Sequence, residues 1–289
     1  MGFKNVGQFV DAELNGQTSL YTWRKQPTQT TGAGIWFDLS MSPGNPVPNY
    51  YAASPNIAIN LAQSTDGGIY HGPAAPAGMK TYLKMFMAMT PTAAATPLPM
   101  ILCDYLMFYP FVDMSITDPQ DMDNSKAALT RSVSGVGVQI MAVEVAGQSG
   151  VGNPQFYVTY TNSDGVPGRQ TMNAVCNTQV VNGTVITSNP ATGQNTGVFM
   201  TLQAGDVGVR SIEQVTFLTP DVGLIAFVLV KPVENHTIRS IDAPAERVPF
   251  MDFPDMPVIE NDAYLNIIAC PQGSLSGAPI HGLIQTVWA

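Results

Sequence analysis

The chain has 289 residues and a formal net charge of −9, and only 11% of its residues are charged while 45% are hydrophobic. Twelve basic side chains cannot supply the positive stripe that phosphate neutralisation requires, so direct nucleic-acid binding is not expected. The surface must be largely neutral, which suits extensive burial against other protein surfaces because few ions need be desolvated.

The first 30 residues are polar and mixed. Val6, Phe9, Val10 and Leu14 give a weak helical spacing, read as a short helix or docking arm. Residues 32–40 (GAGIWFDLS) read as a strand, and the cluster Ser42-Pro43-Gly44-Asn45-Pro46-Val47-Pro48 as a stiffened loop. Its continuation, PGNPVPNYYAASP, should form an ordered surface arm displaying Tyr50 and Tyr51.

Met79, Leu83, Phe86, Met87 and Thr90 approach helical periodicity and predict a helix over 79–90. From LPMILCDYLMFYPFVDM (98–114) onward the pattern is β, beginning with a central strand buried on both faces. Further strands are predicted at 136–146, 155–162, 179–187, 197–203, 209–218, 223–233, 263–269 and 280–288, with Asn182-Gly183 as the sharpest hairpin signal. The Pro-rich stretch 242–262, with Phe250 and Phe253, reads either as a loop across the domain's own sheet or as a partner-embracing arm.

Together these predict a mainly β protein, an antiparallel, jelly-roll-like β-sandwich with one or two short helices. The expected organisation is an N-terminal arm or helix over 1–30 and one sandwich domain over 31–289, with extended loops at 41–78 and 242–262.

Chemistry is sparse in the sequence. His71, His236 and His281 stand apart and no CxxC or HExxH occurs, so zinc is not expected. Asp118, Asp121, Asp123 and Asn124 cluster without EF-hand spacing and read as a solvated turn. Asp252, Asp255, Glu260 and Asp262 are an acidic loop rather than a glycosidase pair, and GSLSG (273–277) carries Leu275 where a nucleophile elbow needs Ser. Cys103, Cys176 and Cys270 read as reduced core residues. Tyr50, Tyr51, Tyr70, Tyr157 and Tyr160 offer a sugar-stacking platform as the binding-module alternative. No catalytic, cofactor-binding or metal-ligating residue is assigned, and a non-enzymatic role is expected. No segment reaches the ~18 apolar residues of a spanning helix, and no signal peptide is expected at the N-terminus.

The segments GIWFDLSMSPGNPVPNYYAASP (34–55), LPMILCDYLMFYPFVDM (98–114), VGVQIMAVEVAG (136–147) and LQAGDVGVRSIEQVTFL (202–218) resemble virion proteins of tailed double-stranded DNA bacteriophages. The resemblance implies a structural protein of the particle, assembled in the host bacterial cytoplasm. Its first implication is a head decoration or cement protein that oligomerises and bridges major capsid subunits or other virion proteins. A neck, tail or fibre-base subunit comes second, and a glycan- or receptor-binding module third. Tyr50, Tyr51, Phe250 and Phe253 are the expected interface anchors, because aromatic side chains dominate interface energetics.

Overall fold

The computed structural model describes residue 3 and residues 5–147, 153–188, 197–248 and 256–289. In chain order, the main elements are α1 (Val6–Leu14), β1 (Thr18–Lys25), β2 (Thr81–Met89), β3 (Leu98–Asp113), β4 (Gln139–Ala146), β5 (Gln155–Asn162), β6 (Val209–Phe217), β7 (Leu224–Ile238), β8 (Leu265–Ala269) and β9 (Ile280–Trp288). Every ladder between these strands is antiparallel.

The central sheet runs β8-β3-β7-β4, with the short strand Phe37–Asp38 outside β8. Its two long strands, β3 and β7, outreach any single covering layer, and two further sheets pack along them. Leu98, Met100 and Leu102 of β3 join Trp23, Leu83, Phe86 and Ile284 of the sheet β2-β9-β1. Further along β3, Leu106, Tyr109 and Val112 join Phe156, Val158, Ile212 and Val215 of the sheet built on β5 and β6. Cys103, Tyr105 and Phe108 enter a third cluster with Met41, Tyr51, Leu61 and Tyr264, where long loops cover the sheet. This is the strand buried on both faces that residues 98–114 predict, and the mainly β, antiparallel sandwich class holds.

Five local expectations need correction. Residues 81–89 form a strand, not a helix. The β2-β9 register shifts between Gln285 and Thr286, which leaves Lys84 as an extra residue opposite no partner in the ladder. The bulge puts Leu83, Phe86 and Ala88 on one face, and a 3-residue step inside a strand imitates helical spacing. The bulged Lys84 instead reaches α1, bonding Glu13 at 2.8 Å and lying 5.8 Å from the Phe9 ring centroid.

Residues 179–187 and 197–203 form no strands over their described parts. The Asn182-Gly183 turn exists, with Gly183 at φ +96, but it sits between two strand ends, where the Gly183 amide donates to Glu144 and its carbonyl accepts from Asp38. An added Cβ on Gly183 would lie 2.7 Å from the Phe37 ring, so glycine is set here by close packing as well as by its φ. The predicted strand over 32–40 shrinks to Phe37–Asp38, followed by a 3₁₀ turn at Leu39–Met41. Finally, Thr18–Lys25 is an integral strand of a sheet, so the first 30 residues are not merely an arm.

The N-terminal helix is present. Asn5 Oδ1 accepts from the Gln8 amide at 3.0 Å, and Gly16 at φ +69 ends the helix. The described ends of the Pro-rich stretch, Ala245–Arg247 and Val258–Ile259, both pair with β2.

Where β9 passes between β1 and β2, Gly282 has no room for a side chain. A Cβ there would lie 2.3 Å from the Met87 carbonyl oxygen and 2.3 Å from the Trp23 indole. Gly282→Ala is therefore expected to lower stability by about 1–3 kcal/mol or more, read as a falling urea midpoint. An unchanged midpoint would mean that the Trp23 and Phe86 stack yields freely.

Candidate functional site

The arm predicted to mediate contacts starts from a buried polar centre. Lys25, at the end of β1, is fully buried, and its Nζ donates to the carbonyls of Ser40 (3.4 Å), Ser42 (3.1 Å) and Pro46 (2.9 Å). One ammonium thus gathers three carbonyls that no strand ladder satisfies. Beside it, the buried Asp38 carboxylate accepts from Tyr51 Oη (2.5 Å), Ser40 Oγ (2.6 Å), Tyr105 Oη (2.7 Å) and the Ser40 amide (2.9 Å). Burial pushes the Asp38 carboxyl upward while these hydrogen bonds oppose the shift. Burial, reinforced by the Asp38 charge, raises both phenols well above their ordinary value, so Tyr51 and Tyr105 stay protonated donors.

Tyr51 therefore is not displayed, contrary to expectation. It is 0% exposed with φ +51, because its hydroxyl is bound by Asp38 and its ring packs against Phe108. Its neighbour Tyr50 is 55% exposed and Val47 66% exposed. The buried tyrosine anchors the arm and the preceding one is presented to solvent. Phe250 and Phe253, the other two expected anchors, lie outside the described residues.

Burial lowers Lys25 to about 8, against the pull of Asp38 in the other direction. The folded chain then gives up this proton before the unfolded chain, whose lysine titrates near its ordinary 10.5. Between these values the unfolded state holds more protons, so stability from this residue rises with pH, by up to about 1.4 kcal/mol per unit. The stability difference between the wild type and Lys25→Met is expected to be flat below pH 8 and to grow in favour of the wild type from pH 8 to 10. Denaturant titrations across that range check it, and a flat difference throughout would contradict a desolvated ammonium.

A second buried centre lies where the two covering sheets meet. Arg131 forks onto Asp104 through Nε (3.0 Å) and an Nη (2.9 Å), and the Tyr264 amide donates to the same carboxylate at 3.0 Å. A cleft of about 380 Å³ adjoins it, lined by Asp104, Lys231, Val233, Met256, Glu260 and Leu265. Two of its three ionic groups are committed within the protein, Asp104 to Arg131 and Lys231 to Ser132 Oγ at 3.1 Å. The cysteines offer no nucleophile, since Cys103, Cys176 and Cys270 are buried and burial raises each thiol.

The acidic turn is tied up locally: Asp123 accepts from the Ser125 amide, Asp121 from Gln214, and Asn124 bonds both Tyr109 and the Ile212 carbonyl. Among the described residues no group of three or more His, Cys, Asp or Glu is placed to hold a metal ion. Tyr51 and Tyr160 are fully buried, so the five-tyrosine platform does not form. Among the described residues no helix is long and apolar enough to cross a membrane.

What sequence reasoning did not separate is the two faces of α1. Phe9 and Ala12 pack inward with Tyr82 and Val287, while Val6, Val10 and Leu14 are 60%, 46% and 80% exposed. Their spacing of four was the available signal, because it places all three on one helical stripe separate from Ala12. Comparison with protein-family models and with curated proteins finds no match to this chain.

Proposed function

We propose that this chain is a non-enzymatic structural subunit of a tailed-phage virion, acting as a head decoration or cement protein that bridges capsid subunits. The observation that carries this reading is the surface: 11% charged residues, an outward apolar stripe at Val6, Val10 and Leu14, and an arm whose root is held by Lys25 and Asp38. Such an arm meets a partner with little conformational entropy left to lose, and Tyr50 and Val47 are its contact residues. The resemblance in the segments at 34–55, 98–114, 136–147 and 202–218 is what directs the reading to a phage particle.

The test is native mass over a concentration series, with and without purified phage shells. Decoration requires saturable shell binding that weakens when Tyr50 and Leu14 are both replaced by aspartate. A stable six- or twelve-fold ring without shell binding would move the assignment to the neck or tail, and neither oligomer nor shell binding would remove the structural reading.

A further inference from the structure

The two edges of the sheet β2-β9-β1 differ. On the β2 side, Ala245–Arg247 and Val258–Ile259 pair with the edge and bring the charged, exposed Glu246 to it. Short strands and charged side chains close a sheet to further pairing. On the β1 side, Gly44–Asn45 pair only with Lys25 and Arg24, which leaves Thr18–Trp23 without a second strand among the described residues.

The register fixes which backbone groups this edge presents. The Gln17 carbonyl accepts from the Trp288 amide at 3.1 Å, and β1 runs opposite β9 from Thr18 to Lys25 without a shift. Odd-numbered residues of β1 therefore bond β9, and even-numbered ones turn their N–H and C=O to the other side. Gln26 follows the alternation, donating to the Pro43 carbonyl at 2.9 Å on that other side. Thr18, Leu20 and Thr22 thus present amides and carbonyls along the edge, and no hydrogen bond to these groups occurs among the described residues. Leu20 is 54% exposed, and Thr22 is exposed beside it. Residues 18–23 contain no charge, no proline and no bulge that would blunt the edge.

The strand's own sequence selects the occupant. Residues 18–22 read Thr-Ser-Leu-Tyr-Thr, which matches itself when turned end for end about Leu20. In an antiparallel pair with a twofold axis at Leu20, that residue faces its own counterpart and Thr18 faces Thr22, both pairs in hydrogen-bonded positions. Leucine meets leucine and threonine meets threonine, and no like charges are opposed although each copy carries −9. The length also agrees: Gly16, at φ +69, turns the chain before Thr18, and Asn45 occupies the edge from Arg24 onward.

We propose that the β1 edge pairs with the β1 edge of a second copy, antiparallel about Leu20, joining two β2-β9-β1 sheets into one across a twofold dimer. The inference goes beyond the virion reading and does not rest on it.

Hydrogen exchange of the full chain at low and high concentration, with native mass measured alongside, tests it. The expected result is a dimer in which the Thr18, Leu20 and Thr22 amides become protected, while those of Ser19, Tyr21 and Trp23, bonded to β9, are protected at both concentrations. The odd-numbered amides report that the sheet is folded, so the even-numbered ones are read independently of stability. Leu20→Glu and Leu20→Lys each set like charges opposite one another and should weaken the dimer about tenfold or more, and mixing the two variants should restore it. A mixture no better than its parts would overturn the pairing about Leu20. So would a monomer at every concentration, or a dimer whose even-numbered amides exchange as fast as in dilute solution. Protection that arises only when phage shells are added would also overturn the proposal, giving the edge to a strand of another protein.

Discussion

Asp38→Ala is expected to destabilise the fold by about 3–5 kcal/mol, a large fraction of the 5–15 kcal/mol typical of a whole domain. The substitution removes the one acceptor shared by Tyr51, Tyr105 and Ser40, all buried around it. Each stranded donor costs about 1–3 kcal/mol, partly offset because a carboxylate no longer has to be desolvated. Asp38→Asn keeps one acceptor oxygen and should fall between the two. The same change frees the arm, so proteolysis within 43–55 is expected to quicken in Asp38→Ala even at temperatures where the core remains folded. Denaturant melts and a protease time course check both parts. A loss under about 1 kcal/mol would show that the hydroxyls find other acceptors.

Arg131→Met should cost a similar amount, about 3–5 kcal/mol, for a different reason. It leaves the Asp104 carboxylate buried between the covering sheets with its cation gone, retaining only the Tyr264 amide as a donor among the bonds described. Replacing both members, Asp104→Leu with Arg131→Met, removes the stranded charge along with the pair. The double variant is expected to recover most of the loss, short of the term for the Tyr264 amide, which then lacks its acceptor. Additive losses in the two single variants and the double variant would contradict direct coupling. A fully recovered double variant would locate the value of the pair in specificity of sheet packing rather than in stability.

Both centres bear on the proposed docking role through rigidity. Lys25 and Asp38 hold the arm's root, and Asp104 with Arg131 pins the junction at which β3 passes from one covering sheet to the other. A subunit that shares load across junctions gains from both, since an interface built on fixed elements loses less entropy on binding.

The sequence by itself determined the β class, the central strand at 98–114 buried on both faces, strands at 136–146, 155–162, 209–218, 223–233, 263–269 and 280–288, each of which the structure has within a few residues, and a short helix or arm at the N-terminus. These depend on apolar patterning and turn residues, which are local properties of the chain. Tertiary structure alone decided the rest. The bulge at Lys84 turned an apparent helical spacing into a strand, because register is set by the partner β9. Residues 18–25 became a sheet strand by pairing along their whole length with β9, 255 to 269 residues away in the chain, and at their end with Gly44–Asn45, and Asn182-Gly183 lost its hairpin because its amide and carbonyl bond Glu144 and Asp38 instead. Tyr50 and Tyr51 are adjacent and alike, yet one is solvent-facing and the other buried. That difference rests on Asp38 and Phe108, which only the folded chain brings to Tyr51.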